Sequence, residues 1–172
     1  MAENLEEYLK RLRSYLGNQD PLKVQAATPK KLEKLLRGRA PARLTRRPAP
    51  GKWSIAGIVA HLADDELVGA YRIRRILESP GLAIESFDQD RWATIGKYDR
   101  RDIKRSLELF RALREANLAL LKTLQRDQWD HHGVHAERGA ESVRAITEHF
   151  ACHDLNHLKQ IEKILGTRAS AR

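Results

Sequence analysis

Hydrophobic residues recur at intervals of three and four over four long stretches of the chain, which is the spacing of amphipathic helices. The stretches are residues 3–17, 55–78, 102–125 and 142–165. Ser54 precedes the second stretch as a capping residue, and Gly166 follows the last one. Alternation of apolar and polar residues never extends beyond a few positions. The pattern therefore predicts an all-α protein, built as a four-helix bundle.

Shorter elements are expected between these helices. Thr28 suits an N-cap and Pro29 a first helical position, which predicts a short helix over residues 28–38. Three prolines in residues 39–52 indicate an extended strap across the surface. The loop of residues 79–101, between the second and third long helices, has room for a short helical turn around its aromatic residues. Loops this long are often functional or packed over a site.

The length of the chain favours a single domain. With 172 residues, it is long enough for one hydrophobic core, whereas two independent domains would each be marginal. We expect the helical bundle to occupy residues 28–166. Residues 1–27 would supply an N-terminal helix and its connection, and residues 167–172 a flexible tail.

Composition limits the location and the chemistry of the protein. No stretch is long and apolar enough to cross a bilayer, and the N-terminus lacks the basic and apolar regions of a signal peptide, which predicts a cytoplasmic protein without a membrane partner. Cys152 is the only cysteine, so an intrachain disulfide and a site of several thiolates are excluded. A metal ion would therefore have nitrogen and oxygen ligands.

The formal net charge of +9 raises the possibility of a nucleic-acid partner. The densest basic run lies in the proline-containing connection at residues 37–48, and the other cations are interspersed with acidic residues along the helices. Binding of nucleic acid is therefore less expected than a solvated basic surface that attracts anionic small molecules.

Candidate chemistry is concentrated in the last long helix. On a helical wheel, His157 lies about 40 degrees from His153, and Ile146, Phe150 and Ile161 lie in the same stripe. Imidazoles one turn apart rise about 6 Å along the axis, a spacing that suits one shared cation, although hydrogen-bonded core histidines would give the same pattern. His61, beside the apolar face of the second long helix, is the candidate third ligand. Three histidines would leave coordination positions open.

Other polar residues near these histidines are candidates for supporting roles. Asp65, one turn after His61, is a candidate to accept that ring's second N–H, in competition with its acidic neighbours on either side. Asp154 is expected to be exposed. Sequence leaves open whether His149, Asp90 or the histidines of residues 131–135 line the site.

Three motifs resemble the DinB-like superfamily, including its YfiT-type metal-dependent hydrolases. They are "PAPGKWSIAGIVAHLADDE" at residues 48–66, "HAERG" at residues 135–139 and "HFACHDLNHLKQI" at residues 149–161. The resemblance implies a four-helix bundle that holds one divalent ion, often nickel or zinc, with manganese or iron as further options. Carried over to this sequence, the ligands are His61, His153 and His157.

Members of this superfamily resemble one another in fold and metal site more than in activity. They include thiol-dependent S-transferases, an isomerase that uses a low-molecular-weight thiol, and hydrolases. The resemblance therefore implies a metal-dependent hydrolase of small molecules or a thiol-dependent S-transferase that uses a low-molecular-weight thiol. The basic surface would favour anionic substrates. The alternatives are a non-catalytic metal-binding or stress-related protein of the same fold and, less expected, a basic nucleic-acid-binding protein. A homodimer is compatible with such a bundle.

Overall fold

A computed structural model describes residues 4–166 of the chain. Residue 3 of the predicted first helix and the predicted flexible tail at 167–172 lie outside the described residues. The helices are α1 (Leu5–Leu16), α2 (Pro21–Leu36), α3 (Pro41–Thr45), α4 (Ile55–Glu78), α5 (Gln89–Ile95), α6 (Ile103–Leu121) and α7 (Val143–Leu165). The strands are β1 (Ala83–Ile84), β2 (His132–His135) and β3 (Gly139–Ser142). Single 3-10 turns cover Tyr98–Arg100 and Asp127–Asp130.

Helices α2, α4, α6 and α7 form a four-helix bundle. The sequence predicts such a bundle, but its fourth member is α2 and not the long helix expected at residues 3–17. Helix α4 packs against α6 and α7, and α2 packs against the same two helices, while α1 lies along α7. The first nine residues of α4 are all buried, which places this helix at the centre of the fold. The main core contains Leu32, Val59, Leu62, Phe110, Leu158 and Ile161. Among the described residues, no helix is long and apolar enough to cross a membrane.

The boundaries of α2 differ from the predicted short helix at residues 28–38. This helix begins at Pro21, where the carboxylate of Asp20 accepts two backbone N–H bonds of the first turn. Thr28 and Pro29 therefore lie inside the helix and do not begin it. Asp20 and Pro21 form the same cap signal as Thr28 and Pro29, and sequence alone did not rank the two pairs.

A contact from another helix compensates for the proline inside α2. Pro29 has no N–H, so the carbonyl of Gln25 loses its helical donor. Nη1 of Arg114 on α6 donates to this carbonyl at 3.0 Å. The proline is thus tolerated because tertiary structure supplies the missing hydrogen bond.

The connection from α2 to α4 is less extended than predicted. Residues 39–52 contain the one-turn helix α3, which starts at Pro41. Nη2 of Arg43 in this helix donates to the carbonyl of Leu165 at 2.6 Å and ties the connection to the end of α7. Helix α6 also ends before the predicted Gln125.

A small sheet joins the two long loops, and the sequence did not predict it. The strand order is β1-β2-β3, with β1 parallel to β2 and β2 antiparallel to β3. Strands of two to four residues are too short for an alternating pattern to be recognised. Since β3 leads directly into α7, the sheet holds the second long loop beside the N-terminal half of that helix.

Candidate metal centre

Three histidine rings meet between α4 and α7. Nε2 of His61 lies 3.1 Å from Nε2 of His153, and Nε2 of His157 lies 3.0 Å from the same atom. One nitrogen from each ring lies within 4.8 Å of the other two, and all three side chains are buried. The structure thus brings together the three histidines that the sequence singled out.

Close packing of α4 on α7 places these rings within reach of one another. A Cβ atom at Gly69 would overlap the ring of Phe150, so the absence of a side chain at residue 69 lets the two helices approach. Phe150 lies about one turn before His153 on α7. The contact therefore sets the helix separation next to the histidines.

Polar side chains face Nδ1 of two of the three rings. Nδ1 of His157 donates to Oε1 of Gln160 at 2.9 Å, which leaves the lone pair on Nε2. Nδ1 of His153 faces Oδ2 of Asp65 at 3.4 Å and has no closer partner. Burial raises the pKa of Asp65 to about 7, and in its ionised form this carboxylate favours a proton on Nδ1 of His153 and a lone pair on Nε2. Asp65 thus faces His153, whereas the sequence suggested His61.

The donor set fits a divalent cation. Burial lowers the pKa of His61, His153 and His157 well below 6.5, and a neighbouring histidine lowers each pKa further. The rings are therefore neutral at neutral pH, and the Nε2 atoms of His153 and His157 lie 3.0 Å apart. Three imidazole nitrogens this close together suit a shared cation. Two nitrogens on one zinc ion, with bonds of about 2.1 Å, stand about 3 to 3.4 Å apart.

Cys152 does not belong to this donor set. Its side chain is buried, and burial raises the pKa of its thiol. A neutral, buried thiol is a poor metal ligand and a poor nucleophile. The candidate donors are therefore the three imidazole nitrogens, whereas the composition indicated nitrogen and oxygen ligands.

An aromatic wall covers His61. The ring of Trp53 lies 4.7 Å from the His61 ring, between centroids, and Tyr98 packs edge-on against Trp53. The hydroxyl of Tyr98 donates to Asp64 at 2.7 Å, and Arg101 pairs with the same carboxylate at 2.8 Å. Asp64 thus holds the loop after α5 against α4.

A buried ionic cluster lies beside the histidines. Arg114 on α6 donates to Asp154 at 2.5 and 3.0 Å and to Glu66 at 2.9 Å. Asp154 is fully buried, so the expectation that it is exposed was wrong. On the helical wheel it lies about 20 degrees from Ile161, inside the apolar stripe, which was the available signal. Its cation comes from a distant helix, and sequence could not identify that partner.

Two clefts reach the histidines. The larger, of about 1230 Å³, is lined by His153, His157 and the connection between α2 and α4. The smaller, of about 510 Å³, is lined by His153 and Asp65. The sequence left open which further residues line the site. His135 and His149 line the smaller cleft, and Asp90 lines both clefts.

The fold and the histidine centre define a class of four-helix-bundle proteins with a buried three-nitrogen site. Within this class, the family model of the DinB superfamily matches residues 26–161. The chain belongs to the DinB superfamily.

Its relatives have names that refer to metal chemistry. A protein of Oceanobacillus iheyensis, named putative metal-dependent hydrolase, is 25% identical over 169 residues, covering 98% of this chain and 90% of the relative. YfiT of Bacillus subtilis, named in the same way, is 23% identical over 149 residues and 84% of each chain. A solved structure of YfiT, described as a probable metal-dependent hydrolase with an unusual four-helix bundle topology, matches with a TM-score of 0.77 at 22% identity. That match covers 86% of this chain and 87% of YfiT, and it shows the shared fold.

Proposed function

We propose that the chain is a divalent-metal-dependent hydrolase of small molecules, with His61, His153 and His157 as the metal ligands. The convergence of three buried, neutral imidazole nitrogens carries this proposal. The names of relatives with similar sequences along most of the chain support the reaction class. Nickel and zinc both suit imidazole donors, so the ligand set by itself does not select between them.

The bound ion would act as a Lewis acid that polarises a substrate carbonyl and lowers the pKa of a coordinated water. The protein's own residues prepare the site for this chemistry. Gln160 holds the ring of His157, and Asp65 faces Nδ1 of His153, so both rings keep their Nε2 atoms turned inward. Trp53 shields His61 from solvent on one side. The clefts give a substrate access to the inward-facing nitrogens of His153.

Metal content tests the ligand set. We expect the wild-type chain to bind about one zinc or nickel ion, and His153→Ala to lose most of it, because two nitrogens hold a metal much less tightly than three. His132→Ala is the matched control, since His132 is exposed and lies on β2. Elemental analysis of dialysed protein measures the stoichiometry, and circular dichroism checks that each variant folds. Full metal content in His153→Ala would contradict the proposal.

Turnover tests the reaction class. We expect the metal-loaded protein to hydrolyse members of a panel of activated esters and amides, chelation to abolish this activity, and zinc or nickel to restore it. Activity that survives chelation would contradict metal-dependent hydrolysis.

The size of the larger cleft favours one further candidate, a thiol-dependent S-transferase. Its volume of about 1230 Å³ exceeds the usual range for a single small ligand, about 300–1000 Å³, and leaves room for two reactants. The thiol would come from solution, because Cys152 is buried. Thiol–electrophile pairs in the activity panel separate this candidate from hydrolysis. If chelation lowers only stability, and no substrate is turned over, the metal has a structural role.

A further inference from the structure

The two clefts that meet at His153 carry opposite charge. Five cationic side chains and a single carboxylate line the larger cleft. Two cationic and five acidic side chains line the smaller one. Glu141 pairs with Arg138 at 2.7 Å, and burial raises the pKa of Asp65 to about 7, so the excess negative charge comes from the other three acidic side chains. A molecule that reaches the histidines through the larger cleft therefore passes a cationic wall, and one that uses the smaller cleft passes an acidic wall.

Three of the five cations in the larger cleft are available to a ligand. Among the residues that the structure describes, no carboxylate forms an ion pair with Arg46, Lys52 or Lys163, and all three side chains are exposed. The other two cations have structural contacts. Arg11 donates to Asn156 at 3.0 Å, and Arg43 donates to the carbonyl of Leu165 at 2.6 Å.

Two of the available cations, Lys163 and Lys52, come from opposite ends of the histidine-bearing segments of the cleft, one from α7 and one from the connection before α4. Lys163 follows His157 by six residues on α7, which corresponds to about 9 Å along the helix axis. Lys52 lies in the connection before α4 and lines the same cleft. The next residue, Trp53, lines this cleft as well. A ligand would thus meet an aromatic surface between the histidines and the cationic groups.

We propose that the larger cleft binds the anionic group of the substrate, a carboxylate or a phosphate, through Lys52 and Lys163, with Arg46 beside them. The reacting bond then lies several bonds from this group, at the histidine centre. The placement of the reacting bond rests on the proposed function. The preference of the cleft for anions does not, because it can be tested by binding alone. The smaller, acidic cleft does not accept the anionic group.

A charge series tests this inference by binding alone. The probes are 4-phenylbutanoate, 2-phenylethyl phosphate, 4-phenylbutan-1-ol and 4-phenylbutan-1-amine, titrated into the full-length chain by calorimetry, both metal-loaded and metal-free. In the metal-free protein, the anion has no metal ion to bind. We expect either or both anions to bind about tenfold more tightly than the alcohol and the amine, and the comparison of the two anions identifies the preferred group.

Charge reversal locates the binding site. Lys52→Glu combined with Lys163→Glu should lower anion affinity about tenfold or more and leave the affinity for the alcohol unchanged. The matched control is Lys30→Glu combined with Lys31→Glu, a double reversal at two exposed lysines of α2 outside both clefts, which should change anion affinity less than about twofold. Equal affinity for all four probes, or an unchanged anion affinity in the double variant, would overturn the inference.

A paired activity measurement separates this inference from the proposed function. Mono(4-nitrophenyl) glutarate and 4-nitrophenyl butanoate present the same leaving group with and without a carboxylate. If both esters are hydrolysed at equal kcat/KM and the anions bind no better than the alcohol, the cationic cleft has no such role and the hydrolase proposal stands. If the anions bind through Lys52 and Lys163 but neither ester is hydrolysed, the cleft inference stands and hydrolysis of these esters is excluded.

Discussion

His149 shows how burial changes the chemistry of a single side chain. It lies one turn before His153 and lines the smaller cleft. Its charged neighbours are Arg138 and Glu141 from the loop and β3, Arg72 from α4 and Arg13 from α1. Burial, followed by the nearby Arg138, lowers the pKa of His149 to about 4, while Glu141 opposes this shift. The native protein therefore holds His149 neutral at pH values where the unfolded chain protonates it.

This shift predicts a stability change with pH. Below about pH 6.5 the unfolded state binds a proton at this residue and the native state does not, so stability falls as the pH decreases towards 4. Between pH 7 and 4.5, His149→Gln should lose about 1 to 2 kcal/mol less of its free energy of unfolding than the wild-type chain loses. Urea unfolding of the metal-free protein at the two pH values measures this difference. An equal loss of stability in wild type and variant would contradict the assignment.

At the scale of elements, Arg114 links the four bundle helices. From α6, its guanidinium contacts Glu66 on α4, Asp154 on α7 and the carbonyl of Gln25 on α2. Arg114 is 1% exposed. Because the carboxylates are also buried, removing the cation would leave two uncompensated charges in the core.

We therefore expect Arg114→Met to lower the free energy of unfolding by about 3 to 5 kcal/mol. Adding Glu66→Gln and Asp154→Asn should recover part of this loss, because the neutral amides are less costly to bury unpaired. Arg105→Met, at an exposed position of α6, is the control and should change stability by less than about 0.5 kcal/mol. Denaturant titrations compare the variants. If Arg114→Met has the same free energy of unfolding as the wild-type chain, the buried ionic cluster does not stabilise the packing of the helices.

At the scale of the whole molecule, a metal ion at the three histidines would connect α4 to α7. An ion that binds only the native state adds about 2.7 kcal/mol of stability when its concentration is one hundred times Kd. Zinc or nickel should therefore raise the Tm of the wild-type chain, and His157→Ala should show little of this increase. Thermal unfolding with and without the ion measures the difference. Equal increases in both proteins would indicate that the ion binds elsewhere.

The sequence by itself determined the features that depend on neighbouring residues. The period of the apolar positions located the long helices, and Ser54, Asp102 and Ser142 occupy their N-caps as local hydrogen-bonding chemistry requires. The inward direction of His153 and His157 also followed from helix geometry, because both residues lie on one face of a single helix.

Tertiary structure decided the features that depend on distant partners. The predicted start of α2 at Thr28 was wrong, because Asp20 and Pro21 give a similar cap signal earlier in the chain. The internal proline is tolerated because Arg114 supplies the missing hydrogen bond. Asp154 is buried because a cation from α6 meets it, and Asp65 faces His153 because α4 and α7 pack closely. The opposite charges of the two clefts likewise arise from loops and helices far apart in the chain. Local periodicity has no information on these pairings, since each one is a contact formed only when the helices pack together.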